Sequence, residues 1–332
     1  MKALVLEGVN QPLQFKDVPD PVPGAGEVVV RIAAAALNHR DCWIQKGQYA
    51  GLKFPVIPGS DGCGTVAALG EGVDATWQGK EVIINPGLDW GDSPAAQAGK
   101  FRILGLPDDG TFAEKVRVPA SALVEKPAHL RTAQAAALPL AGLTGFRALF
   151  RRARLRAGER VLISGVGGGV ALFALQYAVA AGARVFVTSG SEEKIRRAVE
   201  LGAAGGANYQ SDKFVETLKE QAGGLFDVIV DSAGGEGFGK LIDLAAPGGR
   251  IVFFGATRGN PPGFDMRKVF WKQLSILGST MGSPADFVDM IRFVDEHKIA
   301  PLAELTFPLA EGNAALQAME NAEQFGKIVL TV

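Results

Sequence analysis

Four glycines fall within the seven residues Gly165-Val166-Gly167-Gly168-Gly169-Val170-Ala171, directly after the apolar run VLIS and before a second apolar stretch. Strand, glycine turn and helix start in that order can cradle a pyrophosphate. Residues without side chains let the backbone come close, and the free amides at the positive end of the helix hold the charge. On this reading Gly168, Gly169 and Val170 touch the phosphates. The spacing is looser than G-x-G-x-x-G, since Val166 stands at the first position, Gly168 at the middle one and Ala171 at the last. A glycine turn that only packs a helix on a strand would look similar.

The next apolar run, ARVFVT, ends in Ser189-Gly190-Ser191, with Lys194 one helical turn further on. An NAD-dependent enzyme commonly carries Asp or Glu there to bind the ribose 2′-hydroxyl. Hydroxyls, amides at a helix start and a lysine instead suit a 2′-phosphate, so the expected cofactor is NADPH. Tyr209, after the following strand, is a further candidate beside the same group. The alternatives are a capping role for Ser191, a solvated surface lysine for Lys194 and a core-edge ring for Tyr209. Glu192 and Glu193 stand close by and argue the other way.

Metal chemistry is poorly provided for. The chain has two cysteines, Cys42 and Cys63, and three histidines. A four-thiolate zinc site and a disulfide framework are both excluded.

These groups must be positioned by a chain of 332 residues, long enough for about two domains. Its first third reads as short strands over 2–6, 27–36, 64–69 and 81–85, bounded by Gly, Pro and Asp. Residues 132–151 read as one alanine-rich helix with Thr132 at its N-cap. Strands over 160–164, 184–188, 207–209, 226–231 and 249–255 then alternate with helices over 168–181, 191–201, 213–221 and 237–244. That alternation predicts an α/β, doubly wound parallel sheet. A further strand is expected over 274–279, helices over 284–296 and 311–321, and strands over 301–309 and 326–332. A net charge of −1 with no basic stripe excludes a nucleic-acid partner. No apolar run reaches the length of a membrane span, and no signal pattern opens the chain, so a cytoplasmic protein is expected.

Seven blocks carry a resemblance: LNHRD at 37–41, PGSDGCGTV at 58–66, LPLAGLTGFRAL at 138–149, GERVLISGVGGGVALFALQYA, FDVIVDSAGG at 226–235, GGRIVFFG at 248–255 and GKIVL at 326–330. Together they resemble the medium-chain dehydrogenase/reductase family, and within it the quinone oxidoreductase-like branch that works without zinc. The resemblance implies a GroES-like catalytic domain over 1–122 and a Rossmann NADP-binding domain over 123–260. Residues 261–332 would supply the last Rossmann strand and return to the first domain. It also implies a nicotinamide held in a cleft between the domains, a small-molecule substrate, and a homodimer paired through the apolar edge LSILGS.

Zinc alcohol dehydrogenases of this family place two cysteines and a histidine where this chain has Asn38, Leu140 and Ser60. Those three side chains cannot serve as zinc ligands, so the site is expected to hold no metal. The lobe that carries structural zinc in the relatives survives here as NPGLDWGDSPAAQAGKFRILGLPDDG without a cysteine, kept for packing or subunit contact. Without a Lewis acid, a quinone or an α,β-unsaturated carbonyl is the easier hydride acceptor, because hydrogen-bond donors can hold the resulting anion. By resemblance Asn38 would bond the nicotinamide ribose or a substrate oxygen, and Tyr49 would act as donor to the substrate. A turn asparagine and a packing tyrosine are the plain alternatives. Asp41 reads as a helix cap. Thr144, Ala233, Phe254, Gly255 and Lys327 complete the expected cofactor contacts. A metal-free carbonyl reductase and a non-enzymatic NADPH-binding protein remain as rival readings.

Overall fold

A computed structural model describes residues 1–332. They form two compact units, Met1–Ala141 with Gly282–Val332, and Gly142–Met281.

In chain order the first stretch comprises β1 (Lys2–Val5), β2 (Gln14–Asp17), β3 (Glu27–Ala36), α1 (His39–Gln45), β4 (Asp61–Leu69), β5 (Glu81–Ile84), β6 (Gly87–Leu88), β7 (Arg102–Ile103), β8 (Lys115–Pro119), β9 (Leu123–Glu125) and α2 (Thr132–Ala137). Next come α3 (Pro139–Phe146), β10 (Arg160–Ile163), α4 (Gly169–Ala180), β11 (Arg184–Ser189), α5 (Glu192–Glu200), β12 (Gly205–Asn208), α6 (Phe214–Ala222), β13 (Phe226–Asp231), α7 (Phe238–Leu244), β14 (Ala245–Phe253), α8 (Met266–Trp271) and β15 (Ser275–Gly278). The chain closes with α9 (Pro284–Glu296), β16 (Leu305–Pro308), α10 (Gly312–Glu320) and β17 (Ile328–Thr331).

The first unit is built on a sheet in the order β16-β17-β3-β4-β5-β9, with β8 on β3 as well. Its spine is β3, buried on both faces over 28–30 and 34–36 and alternating between them, where Ile32 is buried while Arg31 and Ala33 face outward. That period of two is the mark of a sheet with one covered face. Because β9 pairs with β5, residues 123–125 belong with this unit, and the division falls at 141 rather than 122. The cysteine-free lobe holds β6 and β7 and is closed by aromatic packing. Trp90 is buried, stands edge-on to Phe101 at 5.2 Å, and donates from Nε1 to the Ser93 carbonyl at 2.8 Å.

The second unit contains the expected doubly wound sheet, all parallel, in the order β12-β11-β10-β13-β14-β15. The central strands read VLI, VFV and VIV and are buried throughout, as strands covered on both faces must be. The strand order reverses between β10 and β13, the point where such sheets open a ligand crevice at their carboxyl ends.

The single helix expected over 132–151 is instead α2, α3 and a π-helical turn at Arg147–Arg152. Pro139 has no N–H to continue α2 and sits well at the first position of a new helix. Thr132 is the first helical residue, and Arg131 takes the cap position.

Candidate functional site

The first unit buries a polar network that strand register assembles. Ala36 at the end of β3 pairs with Asp61 on β4 and with Val329 on β17. One step further, Leu37 N donates to Ile328 O at 3.0 Å, which brings Lys327 opposite Asn38. Side chains alternate along a strand, so Asn38, Asp61 and Lys327 meet on one face. Lys327 Nζ donates to Asn38 Oδ1 at 2.6 Å and to Asp61 Oδ2 at 3.0 Å. Asn38 Nδ2 donates to the same carboxylate oxygen at 2.9 Å, and Leu140 N, in the first turn of α3, donates to the other at 2.8 Å. Asn38, Asp61 and Lys327 are 7 %, 0 % and 4 % exposed. Lys327 is therefore no surface lysine, and Asn38 spends its amide on this network rather than on its own backbone.

Gly59 makes the approach to Ser60 and Asp61 possible. Its φ is +96°, and a Cβ there would lie 2.4 Å from Phe112 Cδ1.

A second group of contacts lies next in sequence. Arg40 is buried and donates from Nη1 to Ser60 Oγ at 2.6 Å and to Leu104 O at 2.8 Å. Its Nε reaches the Tyr49 hydroxyl oxygen at 3.5 Å, and the guanidinium carbon stands 5.0 Å from the Tyr49 ring centroid. Tyr49, half-buried, thus accepts from Arg40 and keeps its own proton to donate. Arg40 Nη2 is buried without a partner. Sequence reasoning missed Arg40. Its signal was a cation two residues from Asn38 inside an otherwise largely buried helix. Asp41 caps α1 as expected, accepting from Asn38 N at 2.8 Å, and burial pushes its carboxyl up to about 6.

These residues do not fit zinc. Asn38 is occupied by Lys327 and Asp61, Ser60 by Arg40, and Leu140 offers only its amide. Burial pushes the Cys42 and Cys63 thiols up to about 12, far from the thiolate a metal needs. No group of three or more His, Cys, Asp or Glu could hold a metal ion.

The second unit carries the phosphate-loop residues. Gly165 and Gly167 have φ of +66° and +136°, and Gly168 is the N-cap of α4. Gly165 N and Val166 N donate to Thr188 Oγ1 and O at 3.1 and 2.7 Å. Asp231 braces the turn from the neighbouring strand, accepting from Ser164 Oγ and from Gly234 N, the latter at 2.8 Å. Neither Thr188 nor Asp231 was singled out from sequence, because their part is to hold the loop's shape.

Lys194 leans over this loop, for a Cβ at Gly167 would lie 2.9 Å from its Cδ. Burial lowers its ammonium, with Arg197 adding to the effect. Ser191 Oγ accepts from Lys194 N at 3.3 Å, so it caps α5, and Ser189 Oγ accepts from Ser191 N at 3.3 Å. The Tyr209 hydroxyl stands 2.8 Å from where a Gly190 Cβ would be. Phe254 N donates to Asp231 O at 3.2 Å, and a Cβ on Gly255 would lie 2.9 Å from Ser232 O. Ala233 and these two follow β13 and β14 at the carboxyl end of the sheet. Thr144 is buried in α3.

Comparison with known proteins bears on the fold and the family. Residues 24–128 match the family described as alcohol dehydrogenase GroES-like domain, and residues 169–296 match the one described as zinc-binding dehydrogenase. A zinc-type alcohol dehydrogenase-like protein, YogA, from Leptosphaeria maculans is 35 % identical, covering 98 % of this chain and 96 % of its own. An acryloyl-coenzyme A reductase from Metallosphaera sedula is 31 % identical over the whole of both chains. The crystal structure of an NAD-dependent alcohol dehydrogenase superposes with a TM-score of 0.95 at 39 % identity, covering 100 % of each chain. No helix is long and apolar enough to cross a membrane. With a GroES-like domain, a Rossmann sheet and whole-length relatives that are oxidoreductases, the chain belongs to the medium-chain dehydrogenase/reductase superfamily.

Proposed function

We propose that the protein is an NADPH-dependent, zinc-independent reductase of conjugated acceptors, either quinones or α,β-unsaturated carbonyl compounds. The carrying observation is the buried network itself. Where zinc-dependent relatives need metal ligands, this chain has an amide, a hydroxyl and an aliphatic side chain. The first two are bonded to the cations Lys327 and Arg40.

A bound nicotinamide supplies the hydride. The chain's own task is to bind, orient and stabilise charge. Gly168, Gly169 and Val170 present amides and open backbone to the phosphates, with Lys194, Ser189, Gly190, Ser191 and Tyr209 at the 2′-phosphate. Ala233, Phe254, Gly255 and Thr144 line the cofactor's path, and Asn38 with Lys327 binds its ribose. Tyr49 donates its hydroxyl proton toward the anionic oxygen that forms when the acceptor's β-carbon is reduced, and the Arg40 guanidinium fixes that hydroxyl. The relative named acryloyl-coenzyme A reductase, with an acceptor whose alkene adjoins a carbonyl, supports this class.

NADPH deuterated at the transferring position tests it. Deuterium is expected on the β-carbon of an enone with the carbonyl intact, read by NMR of the product. Deuterium on a carbinol carbon would make the protein a carbonyl reductase and overturn the proposal.

A further inference from the structure

The loop after β14 is fixed over the crossing that precedes it. Thr257 N donates to Ser232 O at 3.2 Å, Arg258 N to Ala233 O at 2.9 Å, and Gly235 N to Gly259 O at 2.8 Å. These bonds anchor Arg258 at the carboxyl end of β13, yet its side chain reaches toward the ring of Tyr209. The guanidinium carbon stands 5.8 Å from the ring centroid of Tyr209, the residue after β12. That ring lies against Gly190, the residue after β11, and two strand spacings, roughly 10 Å at about 4.8 Å each, separate β11 from β13. Loop and side chain together therefore cross the carboxyl end of β10 and arrive at that of β11, where a dinucleotide lies in such sheets.

Arg258 is exposed and forms no ion pair. An arginine that crosses this path without a carboxylate has a free fork for a phosphate, and the Tyr209 ring holds it in place beforehand. The same ring brings its hydroxyl against Gly190, and Lys194 leans over Gly167, so two cations and a phenol surround the Ser189–Ser191 turn. The acids nearby offer less opposition than their number suggests. Glu193 is turned to Arg196 at 2.6 Å, which holds its carboxyl below the usual range.

We infer that Arg258 is a second cationic ligand of the ribose 2′-phosphate and a determinant of NADP over NAD. This rests on the NADPH reading above.

The probes are 2′,5′-ADP and 5′-AMP, titrated calorimetrically into the full-length protein. The wild type is expected to bind 2′,5′-ADP at least about tenfold more tightly than 5′-AMP. Arg258→Ala should weaken 2′,5′-ADP about tenfold or more and leave 5′-AMP within about twofold, with Arg258→Lys in between because it loses the fork. If Arg258→Ala weakens both probes by the same factor, the arginine stacks on adenine and the inference fails. If the wild type prefers 2′,5′-ADP and Arg258→Ala changes nothing, the inference fails while the NADPH reading stands. Equal wild-type affinities would remove both.

Discussion

Replacing Lys327 by methionine keeps most of the side chain's volume and removes only its charge and donors. Asp61 is then a fully buried carboxylate left with two donors, Asn38 Nδ2 and Leu140 N. Breaking one partner of a buried ion pair costs about 3–5 kcal/mol. For a unit of this size each kcal/mol shifts the melting temperature by roughly 2–4 °C, so Lys327→Met should lower it by roughly 6–20 °C in a calorimetric scan. Asp61→Asn, which strands the lysine instead, should cost a similar amount. The double variant should cost well under the sum, because a buried pair replaced by neutral groups is cheap. Lys298→Met supplies the scale. Lys298 pairs with Asp295 at 3.1 Å, but both side chains are more than half exposed, and its loss should stay within about 0.5 kcal/mol. Additive single effects at positions 61 and 327, or a Lys327→Met cost no larger than that of Lys298→Met, would refute the reading of a coupled buried network.

Four further outcomes are expected. Asp41 has a folded-state pKa raised from 3.8 to about 6 by burial, so its contribution favours the fold below pH 4 and is lost as pH rises through 6. The stability of Asp41→Asn relative to wild type should therefore rise by up to about 3 kcal/mol between pH 4 and 7 in urea titrations and stay flat above. Neither Cys42 nor Cys63 should react with Ellman's reagent in the native protein at pH 8, since burial holds both thiols up at about 12, whereas both should react after denaturation. Lys194→Ala should weaken NADPH about tenfold or more while sparing NADH, and equal wild-type titrations of the two would contradict the cofactor assignment. The exposed Met266, Phe270 and Trp271 of α8 precede the edge strand β15, an apolar border that suits a homodimer, and light scattering at micromolar concentration should give twice the chain mass.

Sequence alone disclosed the elements whose burial writes itself into composition. The run EVVVRIAAAA announced β3, and the apolar triplets of β10, β11 and β13 announced the parallel sheet, because strands covered on both faces need such residues. Short strands left no comparable mark. β2 is QFKD, largely exposed, and β6 and β7 have two residues each. Pro139 was visible but was read through, which merged α2 and α3. The glycine loop and Lys194 could be found because they lie within thirty residues of one another. The Asn38–Lys327 bond could not be, for it joins positions 289 apart and depends on the register of β17 against β3. Arg40 and Arg258 were hidden for a related reason. Their meaning comes from what the fold lays beside them, an unmatched nitrogen in one case and a tyrosine ring in the other.

That separation has a consequence for synthesis on the ribosome. Asp61 emerges 266 residues before the lysine that neutralises it. At roughly 5–20 residues per second, its carboxylate waits on the order of ten seconds to a minute for a counter-charge. Over the same interval the Ala34–Ala36 edge of β3 lacks β17, the strand that later pairs with it. The second unit is one unbroken stretch and can complete its sheet from a nascent chain, whereas the first must hold open a vacant edge and a half-built buried pair until Lys327 and β17 are made. Stalling translation just before residue 327 should therefore leave a chain whose second unit resists protease and whose first does not.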